Sequence, residues 1–275
     1  MTTAAVPPQA PSRERTELAT AVRVFGALLS RDFYVTAKDI PGFLVKTLLQ
    51  PFLMLFIFGK VLTDLGFVQP GFVQVLFPGV IALNTFLGAL QATAMPMVMD
   101  FSFTKEIEDR LLAPVSMSVV ALEKIVFGAL RGLLAGVAMI PIGFVILDGV
   151  SWPVSGLLPA FLVLILCSLA AAGVGMVMGT FVPPARIDTV FSAVMIPLMF
   201  TGATQFPWQG LDNLPWFQVV CALNPLTYAS EGIRDILLGG TVPTIPLWVD
   251  LTALIGMGTV AIVVGTIGFR RRAVS

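Results

Sequence analysis

The sequence predicts an all-α polytopic membrane protein with six transmembrane helices, and three observations carry that prediction. Of its 275 residues 57% are hydrophobic and only 12% charged, about half the charged share of an ordinary globular chain. Mean hydropathy is +0.94. Several apolar runs approach the ~20 residues that a helix needs to cross a bilayer. Absences narrow the function classes further. The chain has no histidine, the usual general base and commonest metal ligand. Its two cysteines, Cys167 in an apolar segment and Cys221 in a loop, support neither a disulfide framework nor a thiolate cluster. The formal net charge is zero, so bulk nucleic-acid binding is not indicated.

Residues 1–13, with Pro7, Pro8 and Pro11, read as a disordered tail. Residues 14–40 read as an amphipathic interface helix. Leu18, Val22, Phe25 and Leu29 fall on one face, opposite Thr16, Thr20, Arg23 and Ala27. Such a helix lies along a membrane surface or, as the alternative, packs on the protein's own loops. Arg23, Arg31 and Asp32 interrupt its apolar pattern, which argues against a signal peptide.

Residues 41–275 form the expected six-span domain, with spans at about 43–61, 75–99, 117–147, 156–181, 189–204 and 247–269. Gln50-Pro51 lies inside the first, where the freed carbonyl needs a neighbour. The second carries Asn84 and Gln91, seven residues apart and so on one face. They are candidates for a substrate path, since polar groups in lipid face a protein interior; hydrogen bonding between helices at a dimer interface is the competing reading. The third holds Gly128, Gly132 and Gly136 at the four-residue spacing of close helix contacts. It also holds Arg131, expected to snorkel to the cytosolic surface more than to bind substrate.

Basic residues set the orientation. Arg13, Arg15, Arg23, Arg31, Lys38, Lys105, Arg110, Lys124, Arg186 and Arg270 to Arg272 share one side, leaving Lys60 and Arg234 for the other. The positive-inside rule makes the first side cytoplasmic, with both termini on it. The long segment 205–246 then faces outward. Within it Asn224-Pro225 and Gly239-Gly240 frame a helix of about 21 Å. It is too short to cross, and is expected to dip into or lie on the outer leaflet as a re-entrant helix between spans five and six, with Trp208 and Trp216 as anchors. Tyr228, Glu231 and Arg234 are candidate outer-gate residues; a structural lid in which Glu231 and Arg234 simply pair is the alternative.

The cytoplasmic stretch from Ser102 to Pro114 is the most charged piece of the chain. Lys105 to Asp109 and Glu106 to Arg110 are i,i+4 pairs, and Phe103, Ile107 and Leu111 line one side. Such a helix suits a groove in a cytosolic partner equally as well as a place on the membrane surface. The sequence Lys105-Glu-Ile-Glu-Asp-Arg-Leu-Leu-Ala-Pro-Val-Ser116 resembles the cytosolic loop of the daunorubicin-resistance class of type-2 ABC exporter permeases. The family's Leu-Leu-x-x-Pro-x-Ser is here one residue shorter before the proline. Asn224-Pro-Leu-Thr-Tyr228 with Glu231, Arg234 and Leu238-Gly-Gly240 is similar to the outer-loop signature of the same class.

The resemblance implies a six-helix subunit that pairs with a second copy or a paralogue and rests on two P-loop ATPase subunits. It implies that Lys105, Glu106, Ile107, Glu108, Asp109, Arg110 and Leu111 form the coupling helix, Glu106 and Glu108 being in the acidic run that contacts the ATPase. No cofactor is expected on this chain, ATP and Mg being held by the partner. The sequence contains no phosphate-binding loop of its own, so the chain is not expected to be an enzyme alone. The implied function is outward movement of an amphipathic drug, lipid or lipid-linked glycan across a bacterial plasma membrane. An ion-coupled carrier or channel is the alternative, disfavoured because no acid falls at mid-span.

Overall fold

A computed structural model describes residues 13–38, 40–69, 71–102 and 116–274. The expected tail up to residue 12 and the charged stretch at 103–115 lie outside the described residues.

The bundle is built on α3 (Phe72–Ser102), most of whose length is buried among other helices. Two long helices flank it, α4 (Met117–Ile146) and α5 (Val154–Phe181). α9 (Leu247–Val274) packs on the far side of α5. Small residues let these axes approach. A Cβ at Gly132 of α4 would lie 2.5 Å from the amide nitrogen of Ala89 and 2.6 Å from the carbonyl oxygen of Thr85 on α3. One at Gly173 of α5 would lie 3.0 Å from the amide nitrogen of Ile262 on α9. The regularly spaced glycines of α4 therefore serve a contact within the chain, against α3. Close backbone approach of this kind replaces the hydrophobic drive that lipid-immersed helices lack.

α2 (Ile40–Asp64) is the most loosely held of the long helices. Only 12% of its most apolar stretch is buried, against 89% for α3. Pro51 sits inside it, and the turns Leu55–Val61 are π-helical. The helix thus takes up the lost backbone bond by local re-registration. Near its end Lys60 pairs with Asp64 at 3.3 Å and with Asp148, after α4, at 2.6 Å.

α1 (Arg13–Ala37) is helical over almost the whole of the expected interface helix. Its contact face carries Leu28, Asp32 and Phe33, with Phe33 edge-on to Phe127 of α4 at 5.4 Å. Val22, on the expected apolar stripe, is 65% exposed and so is not covered by the rest of the chain.

Five helices among the described residues are long and apolar enough to cross a membrane: α2, α3, α4, α5 and α9. The segment expected as a further span at 189–204 is α6 (Ile187–Thr201), of 15 residues, or about 22 Å. Residues 202–204 continue its path without helix, and Thr204 abuts Gly79 near the start of α3. The start of α5 lies at this same end, with Gly156 against Ile236. The end of α5 lies opposite, where Arg272 donates to the Gly179 carbonyl at 2.8 Å. This second end, with Arg186, Arg272 and Lys124, is the basic end of the bundle.

The remaining short helices close the other end: α7 (Pro215–Ala222) and α8 (Pro225–Leu238). α8 has the frame that its sequence predicts. The Asn224 side chain accepts from the Leu226 amide at 2.9 Å, Pro225 opens the first turn, and Gly239 ends the helix at φ 55°. Of the two expected placements, dipping in or lying on the surface, burial excludes the second. Leu226 and Ile233 are buried, and so are Thr227, Glu231 and Arg234 on the opposite face. α8 is enclosed by α3, α5 and α9, so it does not lie on a surface. Trp208 also points inward and donates from Nε1 to the Gln218 carbonyl at 3.0 Å, whereas Trp216 is 67% exposed.

Candidate functional site

At the basic end the expected coupling residues Lys105 to Leu111 lie outside the described residues, and what is described is their mount. α3 stops at Ser102 and α4 starts at Met117. Just inside these ends Lys124 Nζ lies 3.0 Å from Asp32 Oδ2 on α1 and 3.0 Å from Asp100 Oδ2 on α3. The three side chains are between 7% and 11% exposed. Buried charges persist only when paired, and here one ammonium serves two carboxylates. The knot ties α1, α3 and α4 at the root of the charged loop. Phe101 strengthens it, lying 5.0 Å under the Arg272 guanidinium of α9. Sequence reasoning did not single out Asp32, Asp100 and Lys124 as partners. The available signal was their position, charged residues at helix ends in a chain with few charges.

At the opposite end Arg234 is the organising residue. Its Nε donates to the Val75 carbonyl at 3.0 Å, and its Nη2 donates to the Ala203 and Thr204 carbonyls at 2.9 and 3.2 Å. Its Nη1 pairs with the Glu231 carboxylate one turn earlier. Glu231 also accepts from the amides of Trp208 at 3.1 Å and Ile245 at 3.4 Å. The planar fork of arginine suits this work, since one ammonium could not reach three carbonyls and an acid in these directions. Tyr228 donates its hydroxyl to the Ala222 carbonyl at 2.7 Å. Of the three outer-gate candidates, Glu231 and Arg234 are thus brought together as a lock that holds 202–206 and α8 onto α3, and Tyr228 braces the turn before α8. Asp250, in the first turn of α9, is buried beside Gly232, and neither of its carboxylate oxygens has a hydrogen-bond partner among the described residues.

Between these ends the structure separates Asn84 from Gln91. Asn84 is buried and donates from Nδ2 to the Ala135 carbonyl of α4 at 2.7 Å. Gln91, two turns on, borders two openings. One, of about 270 Å³, lies between α2, α3 and α4; the other, of about 210 Å³, lies between α2, α3 and α6 and includes Gln50, Ser192 and Met195. The same helix face meets α4 closely at Asn84 and is left uncovered at Gln91. Arg131 reaches back toward the basic end, between rings that sit on that side of it: its guanidinium lies 4.5 Å over the Phe43 ring, in the first turns of α2, and 5.8 Å from that of Phe127, one turn nearer that end on α4.

The comparisons with known proteins agree with this architecture. Residues 23–238 match the model of the family described as ABC-2 type transporter. The chain is 30% identical over 216 residues to the inner membrane transport permease YadH of Escherichia coli K12, covering 74% of this chain and 82% of that protein. It is 26% identical over 220 residues to the putative transport permease ycf38 of Cyanophora paradoxa, covering 75% of this chain and 72% of the relative. A ycf38 permease of Porphyra purpurea is similar at 27% over 209 residues, covering 71% and 68%. A polytopic helical bundle that matches this family over more than two thirds of its length has one reading: the chain belongs to the ABC-2 type transporter family, as a membrane-spanning permease subunit that is not itself catalytic.

Proposed function

We propose that this chain is the membrane subunit of an ATP-driven exporter, powered by two separate P-loop ATPase subunits that dock on the charged stretch Ser102 to Pro114. In this reading ATP binding closes the ATPases. Residues Lys105 to Leu111 receive the movement, Glu106 and Glu108 making the acidic contact. The ends of α3 and α4 carry it inward and open a route toward the α8 end. The chain works as a pair, with a second copy or a paralogue, in a bacterial plasma membrane. Both termini are cytoplasmic, and the chain crosses six times with α6 as the fifth crossing. The cargo is an amphipathic drug, lipid or lipid-linked glycan.

The observation that carries the reading is the buried knot of Lys124 with Asp32 and Asp100. A loop that receives work must be joined stiffly to what it moves. This knot stands at the root of the loop and links the two helices that flank it to α1. Co-expression with the partner ATPase tests the proposal. Alanine at Glu106, Glu108 and Leu111 together is expected to lower ATPase capture and ATP-driven transport at least tenfold, with the bundle still folded. Intact capture and transport in that variant would end the proposal.

A further inference from the structure

The cavity between α2, α3 and α4 is bordered by a cation, Arg131, whose hydrogen-bonding capacity is not filled by the described residues. Arg131 lies seven residues past Lys124 on α4, about 10 Å further from the basic end. A charge borne by a membrane-spanning helix is costly and marks a function or a partner. Its rings, Phe43 and Phe127, take the faces of the guanidinium. The edge, where the N–H donors point, is another matter. Among the described residues, the buried Nε has no hydrogen-bond partner and Arg131 forms no ion pair. The acid that attracts it, Asp32, is bonded to Lys124.

The surroundings complete a site. The cavity of about 270 Å³ is lined by Arg131, by Gln91 and Gly88 of α3, and by Phe43 and Thr47 of α2, with Met95 and Pro96 among its apolar walls. Gln91 and Thr47 supply neutral donors beside the guanidinium. Gly88 lets α3 and α4 close behind the cavity, since a Cβ there would lie 3.1 Å from the Cβ of Ala135 and 3.3 Å from the Cα of Gly132. The α2 wall belongs to the helix whose most apolar stretch is only 12% buried, so the cavity is bounded on that side by an apolar helix that the rest of the chain leaves largely uncovered. A ligand that enters there comes from lipid and carries apolar chains, and a guanidinium selects an oxyanion, with which it can make two parallel hydrogen bonds.

We propose that this cavity binds the anionic headgroup of a lipid-like amphiphile, with Arg131 as counter-charge and Gln91 and Thr47 as hydrogen-bonding partners. The acyl chains then run along α2 in the bilayer. This deepens the exporter reading by naming a ligand class. It is read on this chain without its ATPase, so it stands or falls separately from coupling.

The test is binding to the purified full chain in nonionic detergent micelles. Fluorescent phosphatidylglycerol is the probe, with phosphatidylcholine and inorganic phosphate as competitors. The wild-type chain is expected to prefer phosphatidylglycerol over phosphatidylcholine at least tenfold, and inorganic phosphate is expected to compete only weakly. Arg131→Gln is expected to remove the preference, Arg131→Lys to keep part of it, and Gln91→Ala to weaken binding about threefold. Equal binding of the two lipids by the wild-type chain overturns the proposal, and that arm needs no variant to fold. Undiminished preference in a folded Arg131→Gln chain overturns it too. Full displacement by inorganic phosphate at matched concentration replaces the amphiphile with a free anion and likewise sinks it.

Discussion

Lys124 and Asp32, 92 positions apart in the chain, lie 3.0 Å apart inside the fold. Through that bond, and its twin to Asp100, α1 is held to the bundle by charge as well as by packing. An amphipathic helix that merely rested on lipid would not need a buried carboxylate on its contact face.

Removing the ammonium leaves two buried carboxylates facing each other. Lys124→Met is therefore expected to lower stability by about 3–5 kcal/mol. Adding Asp32→Asn and Asp100→Asn is expected to recover more than half of the loss. Thermal inactivation in detergent, followed by size-exclusion of the surviving fraction, checks both. If the single change is silent, the knot is not what holds α1.

Arg234 joins carbonyls of Val75, Ala203 and Thr204 to the Glu231 carboxylate. Arg234→Lys keeps the charge but cannot reach these acceptors together, and each carbonyl left unpaired and buried costs about 1–3 kcal/mol. The expected result is a folded bundle in which 202–211 is cut by protease far sooner than in the parent. Arg234→Met, which also strands Glu231, is expected not to accumulate at all. Equal protease resistance in parent and Arg234→Lys would contradict the lock.

The three glycines of α4 should respond unequally. A methyl at Gly128 or Gly136 meets the hydroxyl of Thr93 or Thr85, which are side chains. A methyl at Gly132 meets the backbone of Ala89 and Thr85. Side chains yield and backbone does not, so Gly132→Ala is expected to be the worst, at several kcal/mol of overpacking. Gly136→Ala is expected to be relieved by Thr85→Ala, whereas no single change relieves Gly132→Ala. Melting temperatures of the four proteins give the ranking.

Both cysteines are buried, and burial pushes the Cys221 thiol up to about 11. A raised thiol constant means less thiolate at a given pH, roughly one in a thousand at pH 8. Maleimide is expected to label the folded chain negligibly at pH 7 and only slowly at pH 9. Two thiols per chain should appear once the protein is unfolded in dodecyl sulfate. Rapid labelling at pH 7 would show that α7 opens readily.

Much of this architecture was written in local patterns. Apolar run length alone marks α2, α3, α4, α5 and α9, because a helix in lipid must satisfy its backbone within itself. Asn224, Pro225 and Gly239 frame α8 for the same local reason, an N-cap, a first-turn proline and a left-handed stop. Glycine spacing showed that α4 has a close neighbour. It did not show that the neighbour is α3.

What lies between elements was not legible. The sequence offered Glu231 and Arg234 as gate residues or as a simple pair, yet both are buried, because Arg234 also finds carbonyls from two distant segments that no sequence spacing connects. Asn84 and Gln91 look equivalent at seven residues apart. The crossing of α4 decides that one is closed in and the other borders a cavity.

By itself the sequence determined that the chain is a helical membrane protein, where most of its helices run, and which loop carries the charge. Those properties follow from run length and capping, which depend on residues a few positions apart. Only the tertiary structure decided that Lys124 serves Asp32 and Asp100, that Arg234 locks the far end, and that Arg131 faces a cavity. Each is a meeting of residues many positions apart in the chain, and the side chain alone does not say which partner the fold will bring.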